Sequence, residues 1–452
     1  MINTIFVDVA IGSDQLGDGS QLKPLFSIQA ALEVAKSTKM PVVVQIAPGN
    51  YTGFELQNFN VPLPTDAMSG AFLSIVGTPV PYVPSKGPST GLVASLAEKD
   101  TDVSTITVTG AGWIPGELNN KFVRTSDSLG DRTIMIPISG NTTDTLELVP
   151  GTFSPGVFAG STFTIMDLGT VINAPAPPYP VASFGLIKPT RSPSAAVRIT
   201  NSRGPDNTIN IQGLKFALNT NVDAVLIDKS SVLLQNCSIV SPGTTDNSGL
   251  TVLGSQAFVR YCIIEQAGTG ARISGGGQIR LASSMFLVGS VISGGHTCLN
   301  GFHGSLVFIS VVFRNASSAG ILIQLSTLST SQIGGCVFDN CNIGLWARED
   351  YSSGPSSIAF GLKSTTIKNC STAGLDIAGA MSGVYMSNVS GDGNGVGIRL
   401  THGAFAGVKP DVTLSGQVEV QIDGVTTNLA AMRAATPKIV LDPNFGSRLY
   451  EF

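Results

Sequence analysis

Apolar and polar residues alternate in short runs along most of the chain, and from about residue 195 the runs recur. Each run opens on a small residue and continues with apolar side chains at every second place. The instances are AAVRI (195–199), DAVLID (223–228), GLTVL (249–253), GARIS (270–274), GILIQ (320–324), GLWAR (344–348), GLDIA (374–378) and GIRLT (397–401). HTCLNGF (296–302) is a weaker copy, and the spacing runs from about 21 to 30 residues. A second apolar run follows each, as in SVLLQNCSI (231–239), AFVRYCII (257–264) and SLVFISVVF (305–313). Gly, Ser, Asn and Pro separate them. Alternation at period two reads as strand. A repeat of this size with two or three short strands per unit reads as a β-solenoid, whose coils bury an apolar edge only by stacking.

Helix is scarce. FSIQAALEVAKS (26–37) has helical spacing, with Ile28, Ala31, Leu32 and Ala35 on one face and Ser27 placed to cap it. The strand PVVVQIA (41–47) and the turn PGNYTG (48–53) follow.

Composition sharpens this picture. Charged residues are 12% of the chain and hydrophobic residues 42%. Ser, Thr, Asn and Gly must therefore do the solvating, which suits strands and tight turns. The formal net charge is -4, and no Lys/Arg cluster is available to track phosphates, so nucleic acid is not an expected partner. No apolar run is long enough to span a bilayer as a helix, so no membrane insertion is expected. The N-terminus lacks the basic and apolar regions of a secretory leader.

The six cysteines make no CxxC pair, and no metal site or cofactor is expected. Cys237, Cys262 and Cys336 fall at one place in the repeat, and Cys341 and Cys370 at another, as stacked inward thiols would. A Cys341–Cys370 disulfide is the alternative, if those coils adjoin.

The opening resembles pectate-lyase-like right-handed parallel β-helix proteins. The matching residues are FVDVAIGSD (6–14), GDGS (17–20), KPLFSIQAALEVA (23–35) and VVVQIAPGNYTG (42–53). The resemblance implies that the helix caps the solenoid, and it says little about activity. The fold expected is all-β: a right-handed parallel β-helix with a short N-terminal capping helix and a small β insertion. Residues 1–99 would hold the cap and first coils, and 100–180 the insertion and a Pro-rich linker, APAPPYP (174–180). The main coils would occupy 181–410, and 411–452 would cap the last coil, attach the protein or clamp a trimer. The insertion, around Trp113, is similar to units in phage β-helix proteins. Together these features resemble a bacteriophage virion tailspike or head fibre. That implies a homotrimer, virion location, and capsid or tail proteins as partners.

Glycan hydrolysis requires two carboxylates flanking the scissile bond. Alternation puts Arg198, Leu226, Thr251, Arg272, Leu322, Trp346, Asp376 and Arg399 in one outward column. Thr200, Asp228, Leu253, Ser274, Gln324, Arg348, Ala378 and Thr401 form the next. The richest patch is WARED (346–350) with Asp376 and Arg399. Glu349 and Asp376 are the candidate acid/base pair, and Trp346, Arg348, Asp350 and Arg399 the candidate glycan contacts. The plainer alternative is a solvated loop with Arg348 paired to its acids. Asp14 and Asp18 read as turn formers. His296, His303 and His402 are scattered, and Arg260 and Glu265 stand isolated. The expected function is a structural, host-glycan-adhesive spike, more binder than enzyme. A polysaccharide depolymerase is the alternative, and a bacterial surface protein a third.

Overall fold

The computed structural model describes residues 3–38, 41–59, 73–99, 103–126, 133–149, 159–174, 195–202, 209–217, 223–241, 248–266, 269–274, 283–302, 304–324, 331–348, 358–379, 382–434, 439–441 and 448–451. These residues form an all-β parallel solenoid with very few helical residues. A coil lays down strands on three sides in succession. Asp223–Asp228, Ser231–Gln235 and Ser238–Ser241 make one coil, and Ser248–Leu253, Gln256–Arg260 and Ile263–Gln266 the next. Equivalent strands pair in parallel, with Val225 beside Leu250, Leu234 beside Val259 and Ile239 beside Ile264. Three stacked sheets result, called first, second and third in that order. The recurring runs of the sequence are the strands of the first sheet, in the register expected.

The corners explain why the second runs are two strands and not one. SVLLQNCSI bends at Asn236, whose φ is +50°, and its successor at Tyr261, φ +53°. The first sheet ends in the same way at Asn201 (φ +49°), and the third at Asn340 (φ +53°) and Asn369 (φ +56°). One left-handed residue turns the chain, and asparagine tolerates that region better than most side chains. Each corner also bonds to the next coil: Asn201 N–H donates to Asp228 O at 3.0 Å, and Asn236 N–H to Arg260 O at 3.0 Å. A single-residue corner leaves no cluster of turn residues to mark it in the sequence.

Inside the corners, small polar side chains form ladders. Ser202 N–H donates to Ser230 Oγ and Ser230 N–H to Ser255 Oγ, both at 3.0 Å, with all three serines buried. At the next corner Cys237, Cys262 and Cys336 take the inward place. All six cysteines are free, buried thiols, Cys341 and Cys370 included. Burial pushes the Cys370 thiol up to about 12, so it stays protonated and unreactive.

The helix Ile28–Ser37 buries Ile28, Ala31, Leu32 and Ala35, and Ser27 Oγ accepts from Ala30 N–H at 3.1 Å. It closes one end of the apolar column. At the other end, Arg448–Glu451 pairs in parallel with Phe405–Val408 and antiparallel with Ile439–Leu441. Between Leu73–Gly77 and Thr170–Ala174 the chain leaves the solenoid for an eight-stranded antiparallel sheet, from Pro79–Pro81 to Thr162–Leu168. Trp113 lies in its core, edge-on to Phe163 at 6.0 Å. The unit packs on the outside of the third sheet, where Val291, Val312 and Val337 join its apolar cluster and Ile263 meets Phe122 and Met166. Residues 175–180 of the Pro-rich run lie outside the described residues.

The serine ladder makes a measurable prediction. Ser230→Ala leaves the buried Ser202 N–H without its acceptor and should cost about 1–3 kcal/mol in urea unfolding. Ser230→Cys should cost less, since Ser290 and Cys262 already alternate in the neighbouring ladder. An unchanged midpoint for Ser230→Ala would contradict the ladder's role.

Candidate functional site

The first sheet presents the predicted outward column as a continuous ridge. Leu322 lies beside Trp346, Trp346 beside Asp376, and Asp376 beside Arg399, each on successive coils. The indole of Trp346 is half-buried against Leu322, Ile343 and Ala319. One rung over in the same strand, the Arg348 guanidinium lies 4.5 Å from the Trp346 ring centroid. That cation–π contact occupies one face of the indole and leaves stacking on a sugar to the other, or to Arg348 moving aside.

Asp376 and Arg399 pair with each other, Arg399 Nη2 donating to Asp376 Oδ2. The Asp376 side chain is only 8% exposed and that of Arg399 26%. The hydrogen bond to Asp376 raises the Arg399 pKa, burial opposing it. The Arg399 guanidinium thus occupies one oxygen of the Asp376 carboxylate. Glu349 and Asp350 lie outside the described residues, so the structure brings together Trp346, Arg348, Asp376 and Arg399 of the predicted set. At the far end of the column, Arg198 pairs with Glu55 at 3.2 Å, both buried, and Gln29 Nε2 donates to Glu55 O at 3.1 Å. This pair ties the capping helix to the first coils. Among the described residues, no group of three His, Cys, Asp or Glu could hold a metal ion.

A second charged constellation lies where the antiparallel unit meets the third sheet. Asp167 accepts from Lys121 at 2.6 Å and pairs with Lys215 at 3.5 Å. Asn120 Nδ2 donates to Glu265 Oε1, and Arg314 donates to Ser139 O and Asn120 Oδ1. Lys121 also stands 4.4 Å over the Tyr82 ring. The carboxyls shift in opposite directions. Burial pushes Glu265 up despite the Arg314, Lys121 and Lys215 charges. Burial also works against the Asp167 charge, yet the Lys121 hydrogen bond and the Lys215 and Lys121 charges hold its carboxyl below the usual range. Glu265, isolated in the sequence, thus becomes one member of a cluster. Its register offered one signal: Glu265, Ser293, Arg314, Asp339 and Lys368 stack outward on successive coils, with charges alternating around Ser293.

A family model described as "Right handed beta helix region" matches residues 195–355. No curated protein sequence matches the chain. Among solved structures, the tailspike gp49 of Acinetobacter baumannii bacteriophage Fri1, a capsular polysaccharide depolymerase, is similar at 9% identity and TM-score 0.32, over 98% of this chain and 68% of that one. The tailspike gp61 of Pseudomonas phage phi297 is similar at 10% identity and TM-score 0.31, over 87% and 70%. XylC in complex with xylose is similar at 10% identity and TM-score 0.32, over 93% and 69%. Likeness this low bears on neither activity nor substrate. The solenoid itself rests on the strand register and the family match.

Glu265 sets the pH dependence of the seam. Its raised pKa means that ionising it in the folded protein is costly. The penalty is absent below the ordinary value of 4.5, sets in as pH rises past it, and is complete above the folded pKa. Glu265→Gln should therefore be more stable than the parent protein near neutral pH, and the gain should vanish near pH 4. A Gln variant less stable at neutral pH, in thermal unfolding at both pH values, would contradict this account.

Proposed function

We propose that this chain is a structural, glycan-adhesive spike of a bacteriophage virion, with the first-sheet ridge as its saccharide contact. The observation that carries the reading is the ridge at Trp346. It offers an aromatic face with Arg348 beside it and the Asp376–Arg399 pair on the next two coils, on a rigid strand scaffold. An apolar ring face stacks on the C–H face of a sugar, and neighbouring guanidinium and carboxylate groups bond its hydroxyls. Asp350 belongs to the same contact set in this reading. Virion location, partnership with capsid or tail proteins, and a homotrimer are parts of the proposal that rest on the sequence resemblance. Binding is favoured over cleavage because Asp376, the described member of the candidate acid/base pair with Glu349, is engaged by Arg399.

A polysaccharide depolymerase is the second reading. It is favoured by one feature of the seam: Lys121 and Lys215, which pair with Asp167 and hold its carboxyl low, also act on Glu265, which burial pushes up, and an acid and an ionised carboxylate are what glycoside cleavage requires. Against it, Asp167 is held by two lysines, as a structural tie would be.

The test is binding to a panel of capsular and O-antigen polysaccharides, with reducing-sugar release followed in the same samples. The expected result is binding without release, weakened about tenfold or more by Trp346→Ala, a loss of about 1.4 kcal/mol. Release that disappears in Glu265→Gln or in Glu349→Gln would establish the second reading instead. Absence of binding to every glycan would overturn both.

A further inference from the structure

We infer that the outward face of the second sheet is the surface on which further copies of this chain pack. The inference deepens the spike reading and rests on it for the expectation of an oligomer. The other two sides are already engaged. The antiparallel unit covers the third sheet at Ile263, Val291, Val312 and Val337. The first sheet carries the ridge proposed to meet saccharide, and Arg198, Thr251, Leu322 and Asp376 along it are buried. The second sheet instead presents apolar side chains to water. Leu233, Phe258, Phe286 and Val307 form one ladder on successive coils, none of them fully buried. Phe258 and Phe286 stack in parallel, centroids 4.9 Å apart and planes at 11°. Beside them Ile309 is 49% exposed, and Tyr385, further along the face, is 43% exposed.

Three features make a second copy the occupant. The first is size. From Ser74 to Ser387 the face spans roughly 38 Å at ~4.8 Å per coil, and about 17 Å across at ~3.3 Å per residue. With side-chain relief this comes to on the order of 800 Å², what each partner of a stable interface contributes. The second is charge. Among the described outward residues of this face between Asn210 and Ser387, Arg260 and Lys363 carry charge and no carboxylate does. Both are exposed at the edge of the face, outside the apolar ladder, so a copy can pack on the ladder without burying them. The third is shape. A flat ladder repeating with each coil is met in register by a partner with the same repeat, which another solenoid of this sequence has. A partly exposed apolar ladder on a β face is otherwise a liability in water.

The experiment is molar mass by light scattering on the full chain at micromolar concentration, with Ile309→Lys, Phe258→Asp and, as a control on the first sheet, Trp346→Ala. Far-ultraviolet circular dichroism of each variant reports whether it folds, and Ile309→Lys, at a half-exposed position, retains the solenoid even where Phe258→Asp does not. The expected result is a multiple of the chain mass for the parent and for Trp346→Ala. Ile309→Lys should raise the dissociation constant at least 100-fold and run as a monomer. A monomeric parent chain overturns the inference, and polysaccharide binding by that monomer would leave the proposed function standing. A multimer indifferent to Ile309→Lys and Phe258→Asp also overturns it, placing the contact elsewhere. Loss of polysaccharide binding in Phe258→Asp without a change in mass would make this a saccharide face and overturn it as well.

Discussion

The structure depends on corners that a single left-handed residue can turn. A coil of three short strands closes only if each corner is tight enough to keep the next strand over its neighbour. Asn201, Asn236, Asn340 and Asn369 do this at φ values near +50°, each donating its N–H to the coil above. Because each corner bonds across coils, one coil's geometry fixes the next. The inward residue that follows is then aligned with its equivalents. The serine ladder of Ser202, Ser230 and Ser255 satisfies the backbone there without water, and Cys237 and Cys262 fill the equivalent places as compact thiols. The apolar column of Val225, Leu250 and their counterparts is a consequence of that alignment as much as its cause.

Function follows from what such a scaffold presents outward. Strands in register place side chains about 4.8 Å apart along a straight line, a spacing set by backbone hydrogen bonds and indifferent to the side chains. The ridge at Trp346, Asp376 and Arg399 uses this regularity to hold an aromatic ring and an ion pair side by side. The antiparallel unit uses it differently. Its apolar floor sits on the rungs Ile263, Val291, Val312 and Val337, while Glu265 and Arg314 provide polar ties at the margin. The same sheet therefore supplies both the adhesive and the specificity of that docking.

The first-sheet register was legible because each strand carries its own alternation behind a small residue, and the cysteines mark phase independently. That register alone puts Trp346, Asp376 and Arg399 on consecutive coils. It did not reveal that Asp376 and Arg399 would satisfy one another, since adjacency in a column does not say which rotamers meet. The corners within the second runs were harder to read, because Tyr261 and Ser310 adopt left-handed backbone without being Gly or Asn. The seam was out of reach: Glu265 gains Asn120, and Arg314 gains Ser139, from a unit more than a hundred residues away in the chain. Nothing local in the residues around Glu265 records that partner.

Saccharide contact at Trp346 can be probed directly in this chain. The chain has two tryptophans, Trp113 in the core of the antiparallel unit and Trp346 on the ridge. Intrinsic fluorescence during titration with a bound polysaccharide therefore reports the ridge against an enclosed internal reference. The expected result is a saturable change in emission that is abolished in Trp346→Phe, with the Trp113 signal unmoved. Binding measured independently with no change in Trp346 emission would contradict it.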